Sequence, residues 1–279
     1  MDATQIDQIR KHLNEQYTGI FTDAQIERHI LDYVGFLTAD ANLKAVLSSG
    51  KVKSLLDIGC GYGSFILQAR KQGIDAIGID VSQFEIEFAR TRIKKEIPSD
   101  NPEYVYRLGS GSELPFSCEQ FDVVTLWNVM EHSPDIDKLI SEVNRVLRTG
   151  GRVYIICPNY AAFRTEAHYH IFWPSLLPRK AASVYIRLRG RDPVFFESNI
   201  FYRTNWGVLK TLHKYKFDLH NLSESKILNP SLISNPVTSK LIMTIKRFHL
   251  LFLVNIYLNL QLLNPLKTSI VLYATKKVK

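Results

Sequence analysis

The stretch LLDIGCGYGSF, residues 55–65, constrains the fold more than any other part of this chain. An apolar run ends at Asp57, and glycines then occupy positions 59, 61 and 63 before a helix-forming segment begins. Glycine adopts positive φ without steric cost and lets a ligand approach the backbone. Open α/β sheets bind ligands at the carboxyl ends of their strands, often at such a turn. The stretch therefore predicts a ligand loop between a buried strand and the helix that follows it.

The spacing of these glycines distinguishes between kinds of ligand. The dinucleotide fingerprint G-x-G-x-x-G would place its third glycine at position 64, where this chain has Ser64. The sequence also lacks the motif G-x-x-x-x-G-K-[ST], which excludes the nucleoside-triphosphate loop that this motif forms. A nicotinamide oxidoreductase is therefore disfavoured, and it stays only as the weaker alternative.

Strand-like and helix-like segments alternate from residue 52 onward, which predicts a doubly wound, mostly parallel α/β sheet of the Rossmann-like kind. The alternation is interrupted twice, over about 160–203 and 224–266, and we interpret both interruptions as cap insertions. Residues 1–50 have helical periodicity and precede the first strand. The predicted organisation is an N-terminal helical segment, 1–50, followed by one α/β domain, 51–279, with two caps.

A second acid, Asp80, ends the next strand-like segment, where its two oxygens can accept both hydroxyls of a ribose. With this acid in place, the chain resembles the class I S-adenosylmethionine-dependent methyltransferases, in particular the group that includes quinone-biosynthesis methyltransferases. The resemblance rests on five motifs in order, LLDIGCGYG, GID, ELPF, FDVVTLWNVMEH and NRVLRTGGRVYIICPN. It is strong over residues 50–160 and weak over 204–222 and 266–279. It implies a seven-stranded sheet with an antiparallel last strand, S-adenosyl-L-methionine as the cofactor, and N-terminal helices over the cofactor.

The resemblance also implies a role for each matching residue. The methionine end of the cofactor is expected at the glycine loop and at the end of the fourth strand, the ribose at Asp80, and the adenine near the residues that follow the second and third strands. The residues assigned in this way are Asp57, Gly59, Cys60, Gly61, Gly63, Asp80, Val81, Ser110, Gly111, Ser112 and Asn128. Ser110 stands where the family usually has an acid that contacts the adenine amine, so Ser112 or backbone groups are expected to replace that contact.

Three histidines are candidates for a general base, because imidazole titrates near neutral pH. His132 follows the fourth strand, and His168 and His170 lie in the aromatic segment AHYHIFWP. A hydroxyl acceptor would need such a base, whereas a carboxylate acceptor would not. His168 and His170 supply only two local ligands, so no metal site is predicted.

The net charge of +8 is divided unevenly along the chain. Residues 159–279 carry 18 Lys and Arg against 5 Asp and Glu, whereas residues 1–158 carry 17 against 22. Two segments, 178–191 and 246–263, combine basic with apolar residues, which favours an anionic membrane surface or an anionic acceptor. The apolar stripe predicted for the first segment consists of Ala181, Val184, Tyr185 and Leu188. No nucleic-acid partner is expected, because the basic residues are mixed with long aliphatic runs and form no recognised binding module.

Three cysteines without metal-ligand spacing fit a reducing compartment, and the polar start MDATQIDQIR has no apolar signal core. The expected location is cytoplasmic, with peripheral attachment to the inner face of the membrane. The expected function is methylation of a small amphiphilic or anionic acceptor, such as a lipid-linked molecule, a sugar or an aromatic compound. A non-catalytic S-adenosylmethionine-binding adaptor stays open as an alternative, as do the methylated atom and the oligomeric state.

Overall fold

The computed structural model describes residues 3–162, 164–175, 177–222, 236–248 and 250–278. The strands are β1 Ser54–Ile58, β2 Asp75–Asp80, β3 Tyr106–Leu108, β4 Phe121–Trp127, β5 Leu147–Pro158, β6 Arg164–Thr165, β7 Phe172–Trp173, β8 Phe217–Asn221 and β9 Ser269–Lys276. Seven of them form one sheet in the order β3-β2-β1-β4-β5-β9-β8. Within it, β9 is antiparallel to both β5 and β8, while the strands from β3 to β5 are parallel. This sheet confirms the predicted fold class, including the antiparallel last strand.

Helices cover both faces of this sheet. They are α1 Ala3–Gln16, α2 Asp23–His29, α3 Leu37–Ser48, α4 Ser64–Lys71, α5 Gln83–Glu96, α6 Pro102–Val105, α7 Ile136–Val146, α8 Arg179–Leu188, α9 Val194–Asn199, α10 Asn205–Lys214, α11 Pro236–Arg247 and α12 Leu251–Leu263. One apolar layer contains Val143 of α7 and Leu212 of α10, and the other contains Leu43 of α3 and Ile66 of α4. The parallel strands are therefore apolar on both sides, which is why they read as short continuous apolar runs in the sequence.

The N-terminal helices pack beside the glycine loop. Ile9 of α1 and Ile26 of α2 share a buried cluster with Tyr62 of the loop and Phe88 of α5. The hydroxyl of Ser64, the first residue of α4, donates a hydrogen bond of 2.8 Å to a carbonyl oxygen in the turn after α2. These helices are thus attached to the loop and to the helices that flank it.

Between β5 and α10 the chain leaves the sheet and builds a small core of its own. This segment contains β6, β7, α8 and α9, and it packs around the buried rings of Tyr160, Trp173 and Phe196. We call it the first cap. One hydrogen bond of 2.7 Å, from the amide of Phe201 to the carbonyl oxygen of Glu131, joins it to the segment after β4.

The apolar stripe predicted for α8 is wrong in phase. The helix buries Ala182, Ser183 and Ile186, whereas Val184 and Leu188 are exposed. The physical reason is Arg179 in the first turn, because its guanidinium donates to three carbonyl oxygens at and just after α9 and stacks on the ring of Phe196. These bonds hold a different face of α8 against the core.

Helices α11 and α12 belong to the second predicted insertion, of which residues 224–235 lie outside the described residues. They pack on each other through a small cluster that includes Ile242 and Leu258. Among the described helices, none has both the length and the apolar character needed to cross a bilayer.

Candidate active site

The glycine loop joins β1 to α4 and is hydrogen-bonded to the end of β2. The amides of Gly59 and Cys60 both donate to the carbonyl oxygen of Ile79, at 2.8 and 3.2 Å. Gly59 has a φ of +72°, and a Cβ there would lie 2.5 Å from Cγ2 of Val129. A side chain at this position is therefore excluded by both the backbone conformation and the neighbouring strand end.

Asp80 lies at the rim of the sheet beside this loop. Its Oδ2 accepts from the amide of Gly61 at 2.9 Å, and its Oδ1 accepts from the amide of Ser82 at 3.0 Å. Each oxygen keeps a second lone pair that a ligand hydroxyl can use. The adjacent Val81 is 75% exposed and presents an apolar surface next to the carboxylate. Cys60 is different, because its Sγ lies against Gly78 inside the sheet layer and only its backbone lies on the loop.

Asp57 lies beneath the loop rather than at its surface. It is 2% exposed, and its Oδ1 accepts a hydrogen bond of 2.6 Å from the hydroxyl of Thr125 on the neighbouring strand. Burial raises the pKa of Asp57 well above its ordinary value, which favours the neutral form. The structure thus places Asp57 where it holds β1 to β4 below the loop backbone.

The segment after β3 passes beside Asp80, because β2 and β3 pair with Asp80 opposite Leu108. Ser110 is exposed at this rim, and its Oγ accepts from the amide of Ser112 at 3.2 Å. A Cβ on Gly111 would lie 2.6 Å from Cγ2 of Ile58. This turn therefore presents small side chains and backbone groups where the family usually has an acid.

Asn128 ends β4 in a backbone conformation that is uncommon for a residue other than glycine. Its φ is +56°, and its amide donates to the carbonyl oxygen of Ile156 at 2.8 Å. Asparagine tolerates this left-handed region better than most residues. Its side chain lies near the hydroxyl of Tyr33, which comes from the N-terminal segment and whose pKa burial raises. The turn sends the chain into the short helix that carries His132.

Two of the three predicted histidines meet in the structure. The Nε2 atoms of His132 and His168 are 3.3 Å apart. Nδ1 of His132 lies 2.8 Å from the carbonyl oxygen of Asn199, and Nδ1 of His168 lies 3.1 Å from Oε1 of Glu166. His170 is not part of this pair and lies instead near the ring of Phe21, with centroids 5.9 Å apart.

Glu166 orients His168 and was not found by sequence reasoning. This fully buried carboxylate accepts from the Tyr160 hydroxyl at 2.8 Å and from the amides of His168 and Tyr169 at 2.7 Å each. An acid two residues before a histidine is a common pattern, so the sequence alone did not identify Glu166 as the partner of His168. Only the tight turn between β6 and β7 brings the two side chains together.

Aromatic side chains from the N-terminal helices and the first cap surround the histidine pair. The ring of Phe195 lies 5.5 Å from that of His168 and 5.3 Å from that of Tyr17. Burial raises the pKa of Tyr17, and the carboxylates of Glu85 and Asp80 add to the increase, so this ring also lies near the loop rim. We call the region between the loop rim and these rings the cleft.

Two imidazoles of this region, those of His132 and His29, favour the neutral form. Burial, with a smaller contribution from the neighbouring His168, lowers the pKa of His132 to about 4. Burial likewise lowers the pKa of His29 to about 4. His132 nevertheless keeps solvent-exposed surface. A ligand can therefore reach its ring.

A seven-stranded sheet with an antiparallel last strand, a glycine loop after β1 and an acid after β2 define the class I methyltransferase fold. Residues 56–155 match the family model described as "Methyltransferase domain". This part of the chain is therefore a class I S-adenosylmethionine-dependent methyltransferase domain, and S-adenosylmethionine is its cofactor.

Individual relatives agree with this assignment. The chain is 37% identical over 102 residues to the methyltransferase GfsG of Streptomyces halstedii, covering 36% of each chain. It is 30% identical over 128 residues to a demethylmenaquinone methyltransferase of Symbiobacterium thermophilum, covering 44% of this chain and 50% of that protein. The chain thus spans half or less of the length of these relatives.

A solved structure extends the likeness of the fold beyond these matches. It is phosphoethanolamine N-methyltransferase 2 of Haemonchus contortus, with 18% identity, a TM-score of 0.57, and coverage of 97% of this chain and 60% of that chain. At this identity the likeness concerns the fold alone.

Proposed function

We propose that this protein transfers a methyl group from S-adenosylmethionine to a small amphiphilic or anionic acceptor held at the histidine pair. The proposal depends on one observation, which is that the segment after β4 links the expected cofactor site to the histidine pair. Asn128 lies at the end of β4, and the same short segment continues to His132. A cofactor at the glycine loop and an acceptor at the imidazoles would therefore face each other across one turn of chain.

When bound, the cofactor supplies an electrophilic methyl group and a neutral thioether leaving group, so the chain's task is alignment and exclusion of water. Asp80 would offer lone pairs to the ribose hydroxyls, and the loop backbone would lie beside the methionine end. Tyr17 and Phe195 close the cleft with apolar surface. The imidazoles of His132 and His168 would hold a hydroxyl of the acceptor at Nε2.

The nature of the acceptor is inferred from what surrounds the cleft. Its walls are aromatic, and residues 159–279, which include the first cap, carry 18 Lys and Arg against 5 Asp and Glu. One relative is named for demethylmenaquinone and the structural neighbour for phosphoethanolamine, which are an amphiphilic and an anionic compound. An acceptor with an apolar body and an anionic or hydroxyl-bearing end fits both kinds of surface.

The binding half of the proposal is tested with Asp80→Ala. Loss of two charge-assisted hydrogen bonds at ~1.5–3 kcal/mol each should weaken binding of S-adenosylhomocysteine at least tenfold. Asp75→Ala is the matched control, because Asp75 lies at the opposite end of the same strand and forms an exposed ion pair with Arg70. Unchanged calorimetric affinity in a folded Asp80→Ala protein would refute this assignment.

The transfer half is tested with radiolabelled S-adenosylmethionine and extracts separated into small polar molecules, lipids, protein and nucleic acid. Label should enter one of the small-molecule fractions, and His168→Ala should abolish it while S-adenosylhomocysteine binding persists. Label in protein or nucleic acid would contradict the acceptor class. Binding of the cofactor with no transfer into any fraction would favour the adaptor alternative.

Peripheral contact with an anionic membrane is the second part of the proposal. Among the described residues, α12 exposes Phe252, Ile256 and Leu260, each by more than half of its surface. Lys246 and Arg247 precede this helix. An apolar helix face next to basic residues suits the interface of an anionic bilayer.

Flotation with liposomes tests this contact. The protein should rise with vesicles of anionic phospholipid at low salt and less with neutral vesicles. Lys246→Glu with Arg247→Glu at the end of α11 should rise less than the parent, since each basic residue near an anionic leaflet contributes ~1 kcal/mol. Lys94→Glu with Lys95→Glu, at the end of α5, is the matched charge control. If the parent protein stays at the bottom with anionic vesicles, the membrane contact is wrong. The basic residues of 159–279 would then serve acceptor binding alone.

A further inference from the structure

The hydrogen bonds of the histidine pair determine which ring nitrogens carry protons. The carbonyl oxygen of Asn199 can only accept, so Nδ1 of His132 must be the donor in the 2.8 Å contact. Glu166 already accepts three hydrogen bonds from Tyr160, Tyr169 and the amide of His168, so it is the acceptor for Nδ1 of His168 as well. In the tautomers that these hydrogen bonds select, Nε2 is the unprotonated nitrogen of each ring.

These two unprotonated nitrogens point at each other. Their separation is 3.3 Å, and two lone pairs at that distance repel unless a cation lies between them. Two nitrogen ligands at about 2.0–2.1 Å from a tetrahedral ion would themselves be about 3.3 Å apart. The observed separation therefore matches the edge of a tetrahedral metal site.

A third ligand comes from Glu131, next to His132 in the chain. Its carboxylate offers an oxygen that lies with both Nε2 atoms in a group no more than 4.8 Å across. A side-chain movement of about 1–2 Å would bring that oxygen to a tetrahedral edge distance. Glu131 is buried, and its carbonyl oxygen accepts a hydrogen bond from the amide of Phe201 in the first cap. The three candidate ligands therefore come from two parts of the chain that are joined at this point.

We propose that Glu131, His132 and His168 bind one divalent transition-metal ion of the Zn²⁺ type, with both histidines ligating through Nε2. The arrangement contains the outer hydrogen bonds that such sites require, because a ligating histidine donates its other N–H to a carbonyl oxygen or a carboxylate. Asn199 and Glu166 are those two acceptors. Two histidines and one carboxylate leave one position open, as in catalytic zinc sites.

His132 is exposed, so an acceptor could reach an ion held by this group. If the proposed methyl transfer is correct, an oxygen of the acceptor would occupy the open position, where the ion lowers the pKa of a bound hydroxyl. That role depends on the proposed function, whereas binding of the ion does not. The ion would orient the acceptor and reduce the need for a protein base.

The test measures metal binding without cofactor or acceptor. Untagged protein is freed of metal by dialysis against a chelator and titrated with Zn²⁺ in competition with a chromophoric chelator. One equivalent should bind with a dissociation constant of micromolar or tighter. Co²⁺ in place of Zn²⁺ should give the visible absorption of a four- or five-coordinate ion with nitrogen and oxygen ligands.

Variants locate the ion. His132→Ala, His168→Gln and Glu131→Gln should each weaken Zn²⁺ binding at least tenfold. His170→Ala is the matched control, because this histidine lies two residues from His168 but outside the group, and its affinity should be that of the parent. Thermal unfolding of each variant confirms that the fold is retained, and His132 is exposed enough for its removal to leave the core intact.

The proposal is overturned if the parent binds no stoichiometric Zn²⁺ or Co²⁺, or if affinity is unchanged in folded His132→Ala. Calorimetry with S-adenosylhomocysteine on the same metal-free protein separates this result from the proposed function. Cofactor binding without metal binding would reject the metal site alone, and metal binding without cofactor binding would reject the methyltransferase proposal alone.

Discussion

Replacing Gly63 with alanine should destabilise the protein through two separable effects. Gly63 precedes α4 with a φ of +76°, and a Cβ there would lie 2.7 Å from Cβ of Ala89 and 2.7 Å from the ring of Tyr106. The ring cannot move away easily, because the Tyr106 hydroxyl donates a 2.8 Å hydrogen bond to the carbonyl oxygen of Gly63 itself. The new methyl group therefore meets two buried neighbours in a conformation that already disfavours it.

The size of the effect follows from these two contributions. A side chain in the left-handed region costs roughly 1–2 kcal/mol, and overpacking of a tight site costs about 1–3 kcal/mol. We expect Gly63→Ala to lower the free energy of unfolding by about 2–5 kcal/mol in total. Gly73→Ala is the matched control, since Gly73 also has a φ of +76° but no atom lies within 4 Å of its Cβ position. It should cost only the roughly 1–2 kcal/mol of backbone strain.

Urea unfolding of the parent and both variants measures the difference. With a slope of about 3 kcal/mol per molar urea, the midpoint should fall by about 0.7–1.7 M for Gly63→Ala and about 0.3–0.7 M for Gly73→Ala. The slope itself should not change. Equal shifts for the two variants would mean that the contact with Ala89 and Tyr106 contributes nothing, and would refute the packing explanation of this glycine.

Two further predictions concern titration and thiol access. Burial, with a further contribution from Asp80, raises the pKa of Glu85 from 4.5 to about 8, so the fold retains a proton that the unfolded chain releases, and stability falls as pH rises between these values. Glu85→Gln should therefore raise the melting temperature more at pH 8 than at pH 5, and an equal rise at both would contradict the shift. Cys118 is exposed while Cys60 and Cys157 are buried, so a thiol reagent should react quickly with one thiol in the native protein and with three in urea; two or more fast native thiols would contradict this burial.

The sheet and the cofactor loop were predictable because their signals are local. Gly59, Gly61 and Gly63 are required by a turn that spans five residues, and Asp80 ends its strand in a pattern that can be read directly from the chain. The alternation of apolar strands and amphipathic helices follows from burial on both faces of a parallel sheet. Local conformation and hydrophobic periodicity were therefore enough to predict the fold class and the position of the glycine loop.

The acceptor side was not predictable in the same way. The phase of α8 depends on the carbonyl oxygens that Arg179 contacts at and after α9. The periodicity of α8 does not decide the phase, because the buried Ala182 and Ile186 have helical spacing just as the predicted stripe does. His132 and His168 are thirty-six positions apart in sequence, and they meet only because Asn199 and Glu166 orient one ring each. The sequence by itself determined a methyltransferase-type sheet with its glycine loop, because those features arise from neighbouring residues. Which imidazoles share a site was decided by tertiary structure alone, because it depends on how the first cap folds back onto the end of β4.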